Sequence, residues 1–325
     1  MNDGLSIPVR ALGQTGGSVS CLALGGHEYL PDGQLKGFGD DLERAVLPGY
    51  QRTDFGGSER RAIVARALQR GVTFFDATID PEVSALGSAL AECKTDRRVL
   101  VQVRPQGMCY RYDPGNATVL IPGRLRSEVE RLKELLRRDR VDVLNVGLER
   151  EALSLNPSYF DRLADILHEL RSSGLVRFVA CDTLFSGERQ YLAMIDSTCF
   201  DVAWLSFGPL SPTPADEVLP RAAAAGLAVV AREAFSKGTL FQVAADVGVQ
   251  LDSAALAAAA DRWVLNHSEV SALAVGVRTV DELDENLDAV QTALGDEDVE
   301  LLDEVLATPR AQTLLADHAQ KFRAL

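Results

Sequence analysis

Residues 71–90 read GVTFFDATIDPEVSALGSAL, and this stretch shows the unit that repeats along the chain. The apolar run at residues 73–75 predicts a short buried strand. Asp80, Pro81 and Glu82 then form the pattern of a helix start, with an N-cap acid, a proline in the first turn and negative charge at the positive end of the helix dipole. A strand followed closely by a helix predicts one βα unit.

Similar units extend to both sides of this stretch. Further strand-like apolar runs lie at residues 21–24, 99–103, 141–146, 176–180, 202–206, 228–231 and 272–275. Stretches with helical spacing of apolar residues lie between them, at residues 58–69, 125–138, 159–172, 215–224 and 254–266. Eight strands alternating with helices predict an α/β fold, a single (β/α)8 TIM barrel over residues 1–325. A doubly wound open sheet is the alternative, but no GxGxxG follows the first strand.

Two long irregular segments, about 25–57 and 105–122, follow predicted strands and are rich in Gly, Pro and Asp. Since long loops in compact domains are usually functional, we expect both to lie over the carboxyl mouth of the barrel. The opening segment, VRALGQTGGSVSCLALGG, has a Gly-Gly turn between apolar runs. It predicts a β-hairpin that closes the opposite end of the barrel. Residues 296–325 are expected to form a helical tail.

Composition limits the partners and the location. The net charge of −14 argues against nucleic acid and anionic membranes as partners and leaves a small-molecule substrate. The five cysteines form no CxxC pair, which favours free thiols in a reducing compartment. Neither a signal-peptide pattern nor an apolar run of about 20 residues is present, so a cytoplasmic location is expected. The oligomeric state has no signal in the sequence.

Six stretches, in order along residues 9–290, resemble the aldo-keto reductases. ALGQTGGSVSCLALGG resembles the opening hairpin and first strand of that family, and GVTFFDATIDPEVSALGSAL its segment with the catalytic aspartate and tyrosine. RDRVDVLNVGL is similar to the strand that ends in the catalytic histidine, and SSGLVRFVACDT to the strand that ends in a Ser-Asn pair beneath the nicotinamide. AREAFSKGTL resembles the loop over the cofactor pyrophosphate, and GVRTVDELDENLDAV the adenosine-phosphate signature. The resemblance implies a TIM barrel and an NAD(P) cofactor.

The catalytic pattern of the family is incomplete in this chain. The family uses an Asp, a Tyr, a Lys and a His, because the alkoxide formed by hydride transfer needs a proton donor. Asp76 matches the aspartate, but Pro81 stands in place of the tyrosine, Arg104 in place of the lysine and Gly147 in place of the histidine. The resemblance therefore implies a divergent member that lacks the catalytic Tyr, Lys and His.

Other polar residues at the predicted mouth can supply different chemistry. Clustered carboxylates, an imidazole, a guanidinium and phenols suit general acid–base work. The candidate catalytic residues are His27, Tyr29, Asp76, Glu82 and Arg104, and the candidate substrate-binding residues are Glu28, Tyr110, Tyr112 and Asp182.

Each of these residues also has a structural explanation. Asp76 can cap a helix or pair with Arg104. Asp80 and Glu82 can simply stabilise the start of a helix, with no role in a site. His27 can be a core histidine, and Tyr110 and Tyr112 can pack against their own loop. No metal site is predicted, because no tight ligand spacing such as HExxH is present.

The cofactor side keeps more of the family's motifs. The resemblance assigns cofactor contacts to Cys181, Arg232, Glu233, Phe235, Gly238, Leu240, Gly276, Arg278, Thr279, Glu285 and Asn286. Glu282 stands where the family commonly has Gln or Arg, and its carboxylate would repel a 2′-phosphate. NADPH is therefore not the expected preference. The structural alternative is that these residues only cap helices.

The leading hypothesis is an aldo-keto reductase-like, NAD(P)-dependent oxidoreductase with a non-standard catalytic set that acts on a small carbonyl-containing or polar metabolite. The second is a redox-neutral lyase, dehydratase, epimerase or cyclase that uses His27 and Asp76 as acid and base. The third is a non-catalytic protein that senses the cofactor or regulates a partner.

Overall fold

Eight parallel strands close into a barrel with helices around it, which confirms the predicted TIM barrel. The computed structural model describes residues 7–93, 98–183, 187–247 and 252–324. The barrel strands are β3 (Leu22–Leu24), β4 (Phe74–Ala77), β5 (Leu100–Val103), β6 (Val141–Gly147), β7 (Val176–Asp182), β8 (Val202–Ser206), β9 (Ala228–Arg232) and β10 (Val270–Val275). Neighbours in sequence pair in space, and β10 pairs with β3 to close the ring.

The helices alternate with the strands on the outside of the barrel. Among the described residues they are α1 (Leu42–Ala45), α2 (Ser58–Arg70), α3 (Asp80–Cys93), α4 (Arg124–Leu136), α5 (Ala152–Leu155), α6 (Tyr159–Ser172), α7 (Glu188–Asp196), α8 (Val218–Ala224), α9 (Thr239–Ala244), α10 (Ser253–Leu265), α11 (Val280–Ala289), α12 (Asp296–Leu306) and α13 (Pro309–Ala324). Short 3-10 turns lie at Thr118–Leu120, Thr213–Ala215, Ser236–Gly238 and Ala245–Val247.

The opening residues form the predicted hairpin, with β1 (Val9–Ala11) antiparallel to β2 (Ser18–Ser20). Its turn lies against the start of β9, since the Gln14 amide donates to the Gly226 carbonyl at 2.8 Å. A Cβ on Gly13 would lie 2.4 Å from the Ala228 nitrogen, so only glycine allows this approach. The hairpin therefore covers the amino-terminal end of the barrel and leaves the carboxyl end as the mouth.

The barrel interior is filled by large and small side chains in alternation. Phe74 and Trp204 meet edge to face at 6.0 Å between ring centroids. Small residues such as Ala180 and Ala272 lie opposite them in the same buried cluster. This packing leaves a solid core and no pore, as is usual for barrels of eight strands. Any small-molecule site must therefore lie at the mouth.

The five cysteines are free thiols, as the sequence predicted. None of the helices in the described part of the chain is long and apolar enough to cross a membrane. The described residues also contain no group of His, Cys, Asp and Glu side chains that could hold a metal ion.

Asp261 on α10 is a fully buried acid whose two carboxylate oxygens have no hydrogen-bond partner among the residues that the structure describes. Burial raises its pKa from 3.8 to about 8, although the charge of Arg262 acts in the opposite direction. The folded protein therefore holds a proton at Asp261 that the unfolded chain releases over this interval of pH.

We expect the free energy of unfolding to fall as the pH rises from 3.8 to about 8, because only the folded state then binds this proton. The slope is roughly 1.4 kcal/mol per pH unit at most. Asp261→Asn should remove this contribution and be more stable than the wild type by several kcal/mol above the window. Urea unfolding at a series of pH values measures both. Asp317→Asn, at an exposed position of α13, is the matched control. Parallel curves for the wild type and Asp261→Asn would contradict the assignment.

Candidate active site

The carboxyl ends of neighbouring strands bring the predicted polar residues to one mouth. His27 follows β3, Asp76 lies in β4, Arg104 follows β5 and Asp182 ends β7. The first loop passes very close to β4, since a Cβ on Gly26 would lie 2.3 Å from the Asp76 carbonyl oxygen. Glycine at this position is what allows the imidazole of His27 to enter the mouth.

His27 and Glu82 form a hydrogen-bonded pair. The Nδ1 atom of His27 lies 2.8 Å from Oε1 of Glu82, whose side chain is fully buried. The other carboxylate oxygen accepts the backbone N–H groups of Thr78 at 2.8 Å and Ile79 at 3.3 Å. Glu82 therefore serves the start of α3 and the imidazole together. Phe38 packs edge-on against the imidazole at 5.2 Å. The ring is thus fixed through Nδ1, while the side chain keeps 32% of its surface exposed.

The pairing sets the charge of both partners. Burial lowers the pKa of His27, but the charge and hydrogen bond of Glu82 outweigh it, and the net shift is upward from 6.5. Burial raises the pKa of Glu82, but His27 and the two backbone N–H groups outweigh it, and the net shift is downward. The pairing therefore favours the imidazolium and the carboxylate, the form in which His27 can donate a proton to a ligand.

Asp76 is buried beside this pair. Its Oδ1 accepts a hydrogen bond from Nε2 of Gln102 at 2.7 Å. Burial raises its pKa, although the charges of Arg104 and His27 lower it. The prediction that it caps a helix or pairs directly with Arg104 is not met, because its partner is the amide of Gln102. A carboxyl with a raised pKa is a stronger base once it ionises.

Asp182 is fully buried between two guanidinium groups. Its Oδ2 lies 2.7 Å from an Arg104 nitrogen and its Oδ1 lies 3.2 Å from an Arg232 nitrogen. The two positive charges keep its pKa low despite burial. Arg232 also binds Glu233 at 2.6 Å, and Glu233 accepts the Ser206 hydroxyl at 2.8 Å. Both oxygens of Asp182 are thus bound by protein partners, and its contact with substrate stays a prediction.

The second long loop covers the position where the family has its histidine. A Cβ on Gly147 would lie 3.1 Å from the Cys109 carbonyl oxygen and 3.2 Å from its Cβ. Asn116 holds the loop there by donating to the Gly147 carbonyl at 2.8 Å and accepting the Glu149 amide at 3.0 Å. A larger side chain at Gly147 would therefore have to displace this loop.

The same loop carries Tyr110 and Tyr112, whose rings stack at 5.9 Å between centroids. Tyr110 is half-buried with its hydroxyl enclosed, whereas Tyr112 is exposed. The hydroxyl of Tyr110 has no hydrogen-bond partner among the described residues. Burial raises its pKa, and the charge of Arg104 opposes this rise. The preceding residue, Cys109, lies against Gly147 at the end of β6. Tyr110 is therefore placed at the mouth, and Tyr112 supports its ring.

Three predicted residues serve other purposes. Glu28 accepts the Gly56 amide at 2.8 Å and pairs with Lys36 at 3.2 Å, so it organises the first loop. Asp80 accepts the Gly49 amide at 2.7 Å and pairs with Arg131, which confirms its structural interpretation. The hydroxyl of Tyr29 lies against Gly276, where a Cβ would be 2.5 Å away. Its catalytic assignment is therefore not supported, because it faces the end of β10.

At the adenosine-phosphate end of the predicted cofactor site, the side chains form hydrogen bonds with one another. Arg278 donates twice to Oε1 of Glu282, at 2.9 and 2.7 Å, and its backbone amide donates to Oε2 at 2.7 Å. Thr279 caps α11 by accepting the Glu282 amide. An exposed pair at this spacing is worth only about 0.3–0.5 kcal/mol, so a ligand could displace it. Glu285 is exposed and Asn286 half-buried on the same helix.

The nicotinamide end fits the cofactor less well. Both oxygens of Asp182 are committed to arginines, and removing one partner of a buried ion pair costs about 3–5 kcal/mol. Cys181 is buried in the outer core cluster, and Leu240 is buried against the terminal helices, so neither side chain is free for a ligand. In the loop predicted to lie over the pyrophosphate, Phe235 packs on Phe241 and Gly238 serves as the N-cap of α9. Asp182 and Cys181 do not fit a bound nicotinamide in this arrangement.

Sequence reasoning missed residues whose partners are distant in sequence. Gln102 holds Asp76, and Asn116 clamps the end of β6. Glu149 is buried beyond the same strand end, and burial raises its pKa to about 7, although Arg111 lowers it. The sequence signal for Glu149 was its position two residues after the end of a predicted strand.

Comparison with known proteins agrees with the fold. The model of the Aldo/keto reductase family matches residues 240–307. The aldo-keto reductase AKR11C1 from Bacillus halodurans aligns in its holo form with a TM-score of 0.67 and 17% identity, covering 92% of this chain and 96% of that chain. Its apo form gives 0.65 and 16% with the same coverage of 92% and 96%. No curated protein matches the sequence. The resemblance to the aldo-keto reductases is thus confirmed, and at these identities it shows the fold.

We expect the imidazole of His27 to titrate above its ordinary pKa of 6.5, and the Glu82→Gln variant to reverse the shift. Burial remains in that variant, whereas the charge that stabilises the imidazolium is lost. Histidine NMR titration measures both, with the exposed His168 as the internal control. The folding contribution of the pair should be complete below pH 6.5 and decline as the pH rises through the raised value. An unchanged His27 titration in Glu82→Gln would contradict the pairing.

Proposed function

We propose that this protein is a redox-neutral enzyme that moves a proton to and from a small carbonyl-containing metabolite at the barrel mouth. The observation that carries the proposal is the His27–Glu82 pair, with 2.8 Å between Nδ1 and Oε1 and with Glu82 locked by two backbone amides. An imidazole fixed through one nitrogen leaves the other to exchange a proton with a ligand.

The neighbouring groups define their own roles. Asp76, buried with a raised pKa, is the base that takes a proton from carbon. His27 is the acid that supplies a proton to the oxygen, and Arg104 stabilises the negative charge that develops there. Two titratable groups placed side by side in different environments are the usual arrangement for acid–base pairs. Dehydration, elimination, epimerisation and cyclisation all use this step.

Two features favour this proposal over the other hypotheses. The ion pairs of Asp182 with Arg104 and Arg232 disfavour the nicotinamide, as a hydride donor would need that place. The charged mouth, with His27, Asp76 and Arg104 side by side, disfavours a purely regulatory protein, because perturbed titratable groups cluster at catalytic sites.

The step can be tested before the substrate is known. We expect the purified protein to exchange protons next to the carbonyl of some members of a panel of small ketones and oxo acids in D2O, without added cofactor. His27→Gln and Asp76→Asn should slow this exchange by about 10²–10⁴-fold, the usual contribution of a positioned acid or base. His168→Gln, an exposed histidine of α6, should not change it. NMR follows the loss of the proton signal, and equal rates in wild type and His27→Gln would refute the assignment.

An NAD(P)-dependent reductase remains the second candidate, and one finding favours it. The family-model match at residues 240–307 spans α9 to α12, where the adenosine contacts were predicted. The structure of AKR11C1 described as a holo form has the same fold. In this reading His27 would replace the missing tyrosine as the proton donor.

Calorimetric titration with NADPH, NADP⁺, NADH and NAD⁺ separates the two candidates. We expect no micromolar binding, because Asp182 keeps Arg104 and Arg232 engaged at the nicotinamide end. Glu282→Gln, which releases Arg278, is the matched variant for the phosphate end. Micromolar binding to the wild type would make the reductase the working assignment, and a gain for only the phosphorylated forms in Glu282→Gln would locate the effect at Arg278.

A further inference from the structure

We propose that the mouth recognises a carboxylate on its substrate, which Arg104 and the hydroxyl of Tyr110 bind together. The inference names the substrate class for the acid–base site and so rests on the proposed function. Two groups carry the inference. The Tyr110 hydroxyl is a buried donor without a hydrogen-bond partner among the described residues, and Arg104 is held by Asp182 while its other N–H groups have no protein acceptor there.

The first observation is the hydroxyl of Tyr110. It is enclosed by the protein and has no hydrogen-bond partner in the described ranges. Buried polar groups are nearly always hydrogen-bonded, and a buried hydroxyl without a partner destabilises the fold. Burial raises its pKa, so it keeps its proton and acts as a donor at neutral pH. A donor kept at this disadvantage points to a ligand acceptor.

The second observation is the position of Arg104. One of its nitrogens donates to Asp182 at 2.7 Å, and this is the ion pair that fixes the planar group. Its remaining N–H groups have no protein acceptor in the described part of the chain, and its side chain keeps 11% exposure. The loop that carries Tyr110 meets the same strand end, since a Cβ on Gly147 would lie 3.1 Å from the Cys109 carbonyl oxygen and 3.8 Å from that of Asp182, the partner of Arg104.

The third observation is the local charge. Asp182 forms ion pairs with both Arg104 and Arg232. Glu233 forms ion pairs with Arg232 and Lys237 and accepts a hydrogen bond from the Ser206 hydroxyl. Arg104 therefore shares its carboxylate with a second guanidinium, although the whole chain carries a net charge of −14. An anion is attracted by this guanidinium at the mouth and not by the surface as a whole.

The geometry of these donors favours a carboxylate. A guanidinium presents parallel N–H groups that match two carboxylate oxygens, and the phenol can donate to one of them. A phosphate dianion would face the nearby charges of Glu82 and Asp182, which a monoanion tolerates better. The proposal places the carbon next to the bound carboxylate toward His27 and Asp76, which belong to the neighbouring strand ends. The substrate class is a small oxo or hydroxy acid.

Calorimetry with the full chain tests the charge requirement. The probes are sodium pyruvate, methyl pyruvate as the uncharged match, and inorganic phosphate. We expect pyruvate to bind at least about tenfold more tightly than its ester, as a hydrogen-bonded charge is worth that much or more. Phosphate should bind no more tightly than pyruvate. Equal affinities for acid and ester, no binding of pyruvate at millimolar concentration, or tighter binding of phosphate would each overturn the carboxylate.

Tyr110→Phe tests the hydroxyl, and the wild-type structure predicts two opposite effects. Without ligand the variant should melt higher by roughly 2 °C, because an unpaired buried hydroxyl is removed. Its affinity for pyruvate should fall about tenfold, because one hydrogen bond to the carboxylate is lost. Tyr159→Phe, in the outer core, removes another buried hydroxyl and should leave the affinity unchanged. A lower melting temperature or an unchanged affinity in Tyr110→Phe would overturn the inference.

Binding is measured without turnover, so the two proposals fail separately. Pyruvate binding without catalysed proton exchange would overturn the acid–base function alone. Proton exchange with equal binding of acid and ester would overturn the carboxylate site alone.

Discussion

A single buried carboxylate holds the mouth of this barrel together. Asp182 ends β7 and binds guanidinium groups that follow β5 and end β9, so it ties the ends of three strands across the opening. Such an arrangement adds little stability over apolar packing, but removing one member leaves uncompensated charge. Its effect is geometric, because it fixes Arg104 beside His27, Asp76 and Tyr110 in a position that a long flexible side chain would otherwise rarely keep.

This carboxylate also explains why the site differs from the aldo-keto reductases that the chain resembles. In the family this strand end supports the nicotinamide, whereas here it binds two arginines. At the end of β6, where the resemblance implies a histidine in the family, this chain has Gly147, and Cys109 fills the space beside it. The remaining polar residues then form a new set around His27 and Glu82. On a barrel of the same fold, an ion-pair network thus occupies the strand end that the resemblance assigns to the nicotinamide.

Glu82 illustrates how one residue can satisfy two sequence hypotheses. The pattern Asp80-Pro81-Glu82 predicted a helix start, and Glu82 does accept the amides of Thr78 and Ile79. The same carboxylate also binds His27, because the first loop passes beside β4 at Gly26. Asp80 follows only the structural interpretation. The local pattern was identical for both acids, and the partners that distinguish them come from residues 27, 49 and 131.

The amino-acid sequence determined the eight strands, their order and the residues at their carboxyl ends, since apolar runs and helical spacing are local properties. It thereby placed His27, Asp76, Glu82 and Arg104 at one mouth, because the ends of parallel strands converge in a closed barrel. Only the tertiary structure decided which of the mouth residues face a ligand. Glu28, Tyr29 and Asp182 turn to Lys36, Gly276 and the two arginines. Those choices depend on how two long loops cross distant strand ends, and hydrogen bonds between such segments leave no periodic signal in the sequence.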